Sequence, residues 1–266
     1  MHGLGNDFVV IDMTENPFPL TSQNIQLIAD RKKGIGCDQI LTLKSIKSKD
    51  ADFFYQIYNA DGSEVGQCGN GARCIGLLIE LAQLSLKKQW TLQTISAEMQ
   101  VKRIRDGLYQ VSMPPPLFEA EAIPMKLKHN QLEIAFQDQM IPFSAVNLGN
   151  PHVIINTHDI GQIDPVTLSQ HINQSPEFPA GANVNFMTQV SEDKIELMVY
   201  ERGVGLTLAC GSGACATYAS VTRNQQNIRP MIISQPGGEL TLDYTHHTLT
   251  MTGPACCVFK GRWQLS

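Results

Sequence analysis

Apolar residues along the chain fall into two kinds of pattern. Short runs rich in β-branched and aromatic residues occur at 8–11 and 153–155, and again at 52–58 (DFFYQIY) and 194–200 (KIELMVY). Their length and composition predict strands. Residues 72–84 (ARCIGLLIELAQL) are apolar nearly all round, which predicts a helix buried in the middle of its domain. Residues 213–221 (GACATYASV) predict a second such helix, with small side chains that permit close packing. Short alternating segments at 91–95, 100–104, 108–113, 231–234, 239–244, 248–252 and 256–259 predict further strands. Strands that follow one another with few helices between them indicate an α+β fold with mostly antiparallel pairing, not a doubly wound parallel sheet.

The pattern occurs twice. Leu4-Gly5-Asn6-Asp7-Phe8-Val9-Val10-Ile11-Asp12 matches Leu148-Gly149-Asn150-Pro151-His152-Val153-Ile154-Ile155-Asn156 at an offset of 144. Cys68-Gly69-Asn70-Gly71-Ala72 matches Cys210-Gly211-Ser212-Gly213-Ala214 at an offset of 142, and a tyrosine (Tyr58, Tyr200) stands ten residues before each cysteine. The larger offset also sets Gln39 opposite Asn183. This spacing is too long for a solenoid, whose repeats run ~20–50 residues. It implies two pseudo-symmetric domains that face each other. Pro114-Pro115-Pro116 marks the boundary, because consecutive prolines end a strand and stiffen a connection. The domains are therefore expected at residues 1–113 and 114–254.

Composition narrows the function classes. The 266 residues carry 20 Lys and Arg against 25 Asp and Glu, a net charge of −5, with no basic run. Nucleic-acid binding and adhesion to anionic membranes, which need a basic surface, are not expected. No apolar stretch reaches ~18 residues, so no membrane span is expected. The N-terminus lacks a basic head, an apolar stretch and a cleavage site, which points to a cytoplasmic protein. The seven cysteines form no CxxC pair and suggest neither a metal site nor a disulfide framework.

A lone cysteine is usually a small core residue, which is the reading for Cys37, Cys74, Cys215, Cys256 and Cys257. Cys68 and Cys210 differ, because each precedes glycines at the start of a helix. The first turn of a helix offers unpaired N–H groups and the positive end of the macrodipole. That end binds carboxylates and activates a neighbouring thiol. Two such thiols aimed at one point from opposite sides suit inversion of a carbon stereocentre. One base takes the proton from one face and one acid returns it on the other.

Several motifs resemble the diaminopimelate epimerase family: Met1-His2-Gly3-Leu4-Gly5-Asn6-Asp7-Phe8, Asn59-Ala60-Asp61-Gly62-Ser63-Glu64, Cys68-Gly69-Asn70-Gly71-Ala72-Arg73-Cys74, Gly149-Asn150-Pro151-His152, Tyr200-Glu201-Arg202-Gly203 and Ala209-Cys210-Gly211-Ser212-Gly213. The resemblance covers essentially the whole chain. It implies a cofactor-independent enzyme that interconverts L,L- and meso-diaminopimelate for lysine and peptidoglycan synthesis, acting as a homodimer. It implies two domains, each a curled sheet around a central helix, with residues 255–266 returning to the first as a last strand. It implies that Cys68 and Cys210 are the acid/base thiols. Asn6, Gln39, Asn59, Gly69, Asn70, Asn150, Asn183, Glu201, Arg202, Gly211 and Ser212 are then substrate contacts. His152 and Glu201 stand where the family tunes protonation. A tyrosine that some members use at the dimer contact is Phe259 here.

The residue types suit such a substrate. Two ammonium and two carboxylate groups can be paired by one Arg, one Glu and several amides, and a bidentate Arg suits a carboxylate. Which of Asn183 and Asn185 faces substrate is assigned to Asn183 from the expected strand phase. Related activities on the same scaffold (proline racemase, hydroxyproline epimerase, a phenazine-type isomerase) and a thiol redox sensor are the rival readings.

Overall fold

The computed structural model describes residues 1–126 and 132–264. The expected domain ranges also include 127–131 and the pair Leu265 and Ser266, which lie outside the described residues. The chain forms two compact units, Met1–Ser112 together with the segment from Thr252 onward, and Met113–Met251.

In the first unit the elements are β1 (His2–Gly3), β2 (Asn6–Asp12), α1 (Ser22–Ala29), β3 (Gln39–Ser45), β4 (Phe53–Asn59), β5 (Glu64–Val65), α2 (Gly69–Leu81), β6 (Gln89–Gln93), β7 (Glu98–Arg105) and β8 (Leu108–Ser112). The sheet order is β1-β2-β3-β4-β6-β7-β8, with β5 paired to β4. The second unit contains β9 (Glu133–Phe136), β10 (Gln139–Pro142), β11 (Ser144–Asn147), β12 (Pro151–Asn156), α3 (Pro165–Gln174), β13 (Asn183–Ser191), β14 (Lys194–Glu201), β15 (Gly205–Thr207), α4 (Gly211–Thr222), β16 (Met231–Gln235) and β17 (Gly238–Thr245), and the last strand, β18 (Thr248–Pro254), begins in it and ends in the first unit. The order within the second unit runs β17-β16-β14-β13-β12-β11, with β15 on β14 and β9-β10 as a separate hairpin.

The fold is α+β, as expected, but the sheets are mixed and not simply antiparallel. The pairs β2·β3, β4·β6, β12·β13 and β14·β16 are parallel. A parallel return needs a long crossover, and a helix provides each one: α1, α2, α3 and α4 in turn. Both units thus repeat one plan of parallel crossover, antiparallel step, parallel crossover, antiparallel meander. Helices α1 and α3 were not expected. The start of α3 carries a readable signal, since Asp164 caps it by accepting from Thr167 N–H and Pro165 follows at its first turn. Residues 256–259 form no strand. Beyond β18 the described chain has one isolated bridge, in which Cys256 and His2 exchange two backbone hydrogen bonds of 2.9 Å.

Helix α2 packs on β1, β2, β3, β7 and β8, and α4 packs on β11, β12, β13, β16 and β17. Residues 69–77 of α2 are buried throughout, including Arg73, whose Nε donates to Pro254 O at 3.0 Å. Over that stretch the helix has no solvent face, so its apolar pattern runs all round, and only its last turn reaches solvent at Leu81. The repeated Leu-Gly-Asn segments need their glycines, because Gly5 and Gly149 adopt φ of +88° and +91°. No helix among the described residues is long and apolar enough to cross a membrane.

Gly71 is required for space. A Cβ there would overlap the buried Tyr55 hydroxyl and lie 3.1 Å from both Leu41 methyls. Gly71→Ala is expected to destabilise the protein by ~1–3 kcal/mol through overpacking, measured by denaturant unfolding. Adding Tyr55→Phe should recover part of that loss, since it removes the clashing oxygen.

Candidate active site: two matched half-sites

In the first unit, Cys68 is the N-cap of α2. Its backbone is extended, and its Sγ accepts the Gly71 N–H at 3.3 Å. A sulfur thus takes the place that a serine or aspartate oxygen fills at ordinary helix starts. The Tyr55 hydroxyl donates to Cys68 O at 3.3 Å and fixes the segment from below. Burial, with the Cys68 thiol beside it, raises the Tyr55 phenol well above its usual range, so it stays a donor.

Strand register gathers the amides around this start. Asn6 opens β2, Gln39 opens β3 beside Phe8, and Asn59 closes the antiparallel β4 directly opposite Gln39. Gln39 Nε2 donates to Asn59 Oδ1 at 2.9 Å, and Asn59 Nδ2 donates to Ser63 Oγ at 3.0 Å. Asn6 accepts from Asn70 Nδ2 at 3.3 Å and donates to Asp38 Oδ2 at 2.9 Å. Asp38 is held in turn by Arg31, whose guanidinium grips Asp7 with two bonds of 2.8 Å and Asp38 with one of 2.7 Å. Partial burial works against the Asp7 carboxylate, but Arg31 and the Asp38 N–H outweigh it and lower its pKa. Exposed pairs of this kind add little stability, ~0–1 kcal/mol. Their effect here is to hold the acceptor that orients Asn6.

In the second unit, Cys210 is the N-cap of α4, and its Sγ accepts the Gly213 N–H at 3.4 Å. Its own N–H donates to Gln235 Oε1 at 2.8 Å. Ser212 Oγ lies 3.5 Å from the sulfur. Burial pushes the Cys210 thiol well up, and the neighbouring Glu201 carboxylate pushes it further, while the Ser212 and Gly213 hydrogen bonds pull it down. Glu201 is fixed by the Thr207 hydroxyl at 2.7 Å. Asn150 Nδ2 donates to Ser212 Oγ at 3.4 Å, and His152 Nε2 lies 3.1 Å from Asn150 Oδ1. His152 is wholly buried, which lowers its pKa to about 4 against a raising contribution from Asn185. The ring is therefore neutral, and no proton exchange with solvent near neutrality is expected of it.

Asn183 Oδ1 accepts the Arg202 N–H at 2.9 Å, and the Arg202 guanidinium donates to Ala180 O. Strand phase does not separate Asn183 from Asn185, because residues two apart share one face. Depth separates them: Asn183 stands first on β13, and Asn185 lies one step further in, against His152. Gly69 and Gly211 are the buried first residues of their helices. All seven cysteines are free thiols. Among the described residues, no group of three or more His, Cys, Asp or Glu is arranged to hold a metal ion.

A family model described as diaminopimelate epimerase matches residues 1–118 and 144–258. A diaminopimelate epimerase of Coxiella burnetii (strain Dugway 5J108-111) is 45% identical over 99% of this chain and 97% of its own length. One from Pseudomonas savastanoi pv. phaseolicola (strain 1448A / Race 6) is 38% identical over 100% and 98%.

The chain belongs to the diaminopimelate epimerase family. It is an isomerase-class amino-acid epimerase. The fold of this family member is shared with solved structures at 16% identity: a phenazine biosynthesis protein of the PhzF family from Bacillus anthracis (TM-score 0.67, 96% of this chain and 92% of that one) and a hydroxyproline epimerase from Agrobacterium vitis (TM-score 0.67, 95% and 87%). At that identity they speak for the fold alone.

Several residues around the two helix starts were not singled out from sequence: Asp38, Arg31, Tyr55, Thr207 and Gln235, while Asn185 was weighed there and passed over for Asn183. Asp38 adjoins Gln39 at the start of β3 and was within reach of the sequence motif. Arg31, Thr207 and Gln235 come from turns and strand ends whose partners only the pairing reveals.

Because His152 is neutral when folded but ionises near pH 6.5 when unfolded, the unfolded state binds more protons between those values. Stability is thus fully present above pH ~6.5 and falls as the pH drops toward 4, by roughly 3 kcal/mol from this group. His152→Gln, which keeps a donor toward Asn150, should flatten this acid limb in denaturant titrations at stepped pH.

Proposed function

We propose that this family member interconverts L,L- and meso-diaminopimelate by direct proton transfer between Cys68 and Cys210, with no pyridoxal or metal cofactor. One observation carries the reading: in a chain of this family, the same sulfur-capped helix start is built twice, at Cys68 and at Cys210. Inversion at the α-carbon needs one thiolate to remove the proton and one thiol to deliver a proton to the opposite face. The pair exchanges roles in the reverse direction. Burial and Glu201 hold Cys210 in its thiol form, so in that state it is the proton donor.

An α-proton is very weakly acidic, so the site must stabilise charge that develops on the carboxylate as the carbanion forms. The first turns of α2 and α4, at Gly69-Asn70 and Gly211-Ser212, supply oriented N–H groups and dipoles for this purpose. The remaining side chains fix the substrate. Arg202 pairs the distal carboxylate, Glu201 an ammonium group, and Asn6, Gln39, Asn59, Asn150 and Asn183 supply neutral donors and acceptors. His152 acts as a neutral hydrogen-bonding group. In this reading the enzyme serves lysine and peptidoglycan synthesis in the cytoplasm and acts as a homodimer. Val258 and Phe259, each 65% exposed, are apolar side chains that such a dimer would cover.

The test is incubation of reduced protein with L,L-diaminopimelate in heavy water, without added cofactor. α-Deuterium uptake together with conversion to meso product is expected. Neither uptake nor conversion, with thiols verified as reduced, would reject the substrate and turn attention to proline and hydroxyproline. Cys68→Ala and Cys210→Ala should each lower turnover by at least ~10²–10⁴-fold, the range of a lost general acid or base, while circular dichroism is unchanged.

A further inference from the structure

The two units follow one plan, so their positions can be matched residue by residue. Phe8 is in register with Gln39 as His152 is with Asn183, and Val10 with Leu41 as Ile154 is with Asn185. Leu41 lies against Gly71 at the start of α2, and Asn185 lies against Gly213 at the start of α4. The two positions behind the helix start are therefore Phe8 and Leu41 in one unit, and His152 and Asn185 in the other. All four side chains are buried. One copy manages with hydrocarbon where the other buries an amide and an imidazole, which costs free energy unless their hydrogen bonds serve an end. Asn185 Oδ1 has no hydrogen-bond partner, a cost that a residue kept for packing alone would not carry.

The bonds in the second unit run in one direction. Asn185 Nδ2 donates to His152 Nδ1 at 3.2 Å. The neutral ring then carries its proton on Nε2 and donates to Asn150 Oδ1 at 3.1 Å. With its oxygen engaged, Asn150 donates through Nδ2 to Ser212 Oγ at 3.4 Å. The hydroxyl, having accepted there, keeps its own hydrogen available to Cys210 Sγ, which lies 3.5 Å away. In the first unit the matched amide is reversed. Asn6 must give its NH₂ to Asp38, since a carboxylate only accepts, and so presents its oxygen to Asn70.

We infer that Asn185 is a positioning residue: by fixing the His152 tautomer it turns the Asn150 amide toward Ser212 and so aims the Ser212 hydroxyl at the Cys210 sulfur. The inference deepens the proposed reaction and rests on that reading for its catalytic consequence; the hydrogen-bond order stands without it. A hydroxyl donating to sulfur favours the thiolate. It opposes Glu201, the charged side chain that bears on Cys210, and acts alongside the Gly213 N–H.

The test uses the reduced full-length protein labelled with ¹⁵N-histidine and ¹³Cβ-cysteine, with Cys210→Ala assigning the Cys210 resonance. Wild-type His152 should show the Nε2–H tautomer from pH 6 to 9. Asn185→Asp, which can only accept, should move the proton to Nδ1. The Cys210 titration midpoint should then rise by about one pH unit, tenfold less thiolate at fixed pH. Ser212→Ala should give the same rise in the Cys210 midpoint and leave the tautomer unchanged. An Nδ1–H tautomer in the wild type overturns the inference. So does an unchanged Cys210 midpoint in either variant, and Ser212→Ala keeps the test decisive if Asn185→Asp does not fold. Failure of the epimerase reading would appear separately, as absence of deuterium uptake in the wild type with these resonances as expected.

Discussion

The first turn of a helix has N–H groups with no partner inside the helix, and in both units a cysteine sulfur caps that turn. This arrangement constrains much of what surrounds it. The sulfur can accept the N–H three residues on only if the backbone at Cys68 and Cys210 is extended and the helix begins immediately after. The capped turn must also lie close to the strands behind it, so Gly71 and Gly213 carry no side chain. The helices behind these turns are then buried against five strands each. A sulfur held by so much packing has little freedom to drift from its position, which the proposed proton transfer would require.

The topology explains how the amides reach that turn. Parallel crossovers bring the start of β2 beside the start of β3, and the start of β12 beside the start of β13. The antiparallel step then brings the end of β4 or β14 to the same edge. Residues more than fifty positions apart in sequence, such as Asn6 and Asn59, are thereby placed at one end of one sheet. Within this shared frame the two units diverge at buried positions. The first orients its asparagine from the surface, through Asp38 and the Arg31 clamp. The second orients its own from the core, through a neutral histidine and a buried amide. A charged clamp at the rim tolerates solvent and salt poorly as a source of energy but well as a guide. A buried neutral pair is insulated from both.

Much of this was legible in the chain. The repeat was visible because glycine and cysteine at a helix start, and Leu-Gly-Asn at a left-handed turn, are dictated by local geometry and leave the same letters in both copies. The two buried helices were visible because an element surrounded by sheet is apolar on every side. Strands β4 and β14 were visible because buried positions alternate along their β-branched and aromatic runs. The helices α1 and α3 were not, because short amphipathic segments such as 22–29 carry too little periodicity to stand out. The parallel pairings were not, because register between distant strands is chosen by packing and leaves no local trace. The reading of 256–259 as a strand failed because its β-branched and aromatic side chains, Val258 and Phe259, face outward and make no ladder.

The sequence alone determined the family, the duplication and the α+β class, and it singled out the two cysteines on which the proposed reaction rests, since each of these is written in local spacing and in residue types that few other roles require. Tertiary structure decided the partners. It decided that the Glu201 carboxylate lies near Cys210. It decided that His152 is buried and neutral, and that Asn185 stands behind it where the other copy has Leu41. It decided that Arg31 serves Asp38 at the edge of the first half-site. The physical reason is that hydrogen-bond polarity and pKa depend on distance, desolvation and strand register, which arise only when remote segments pack together.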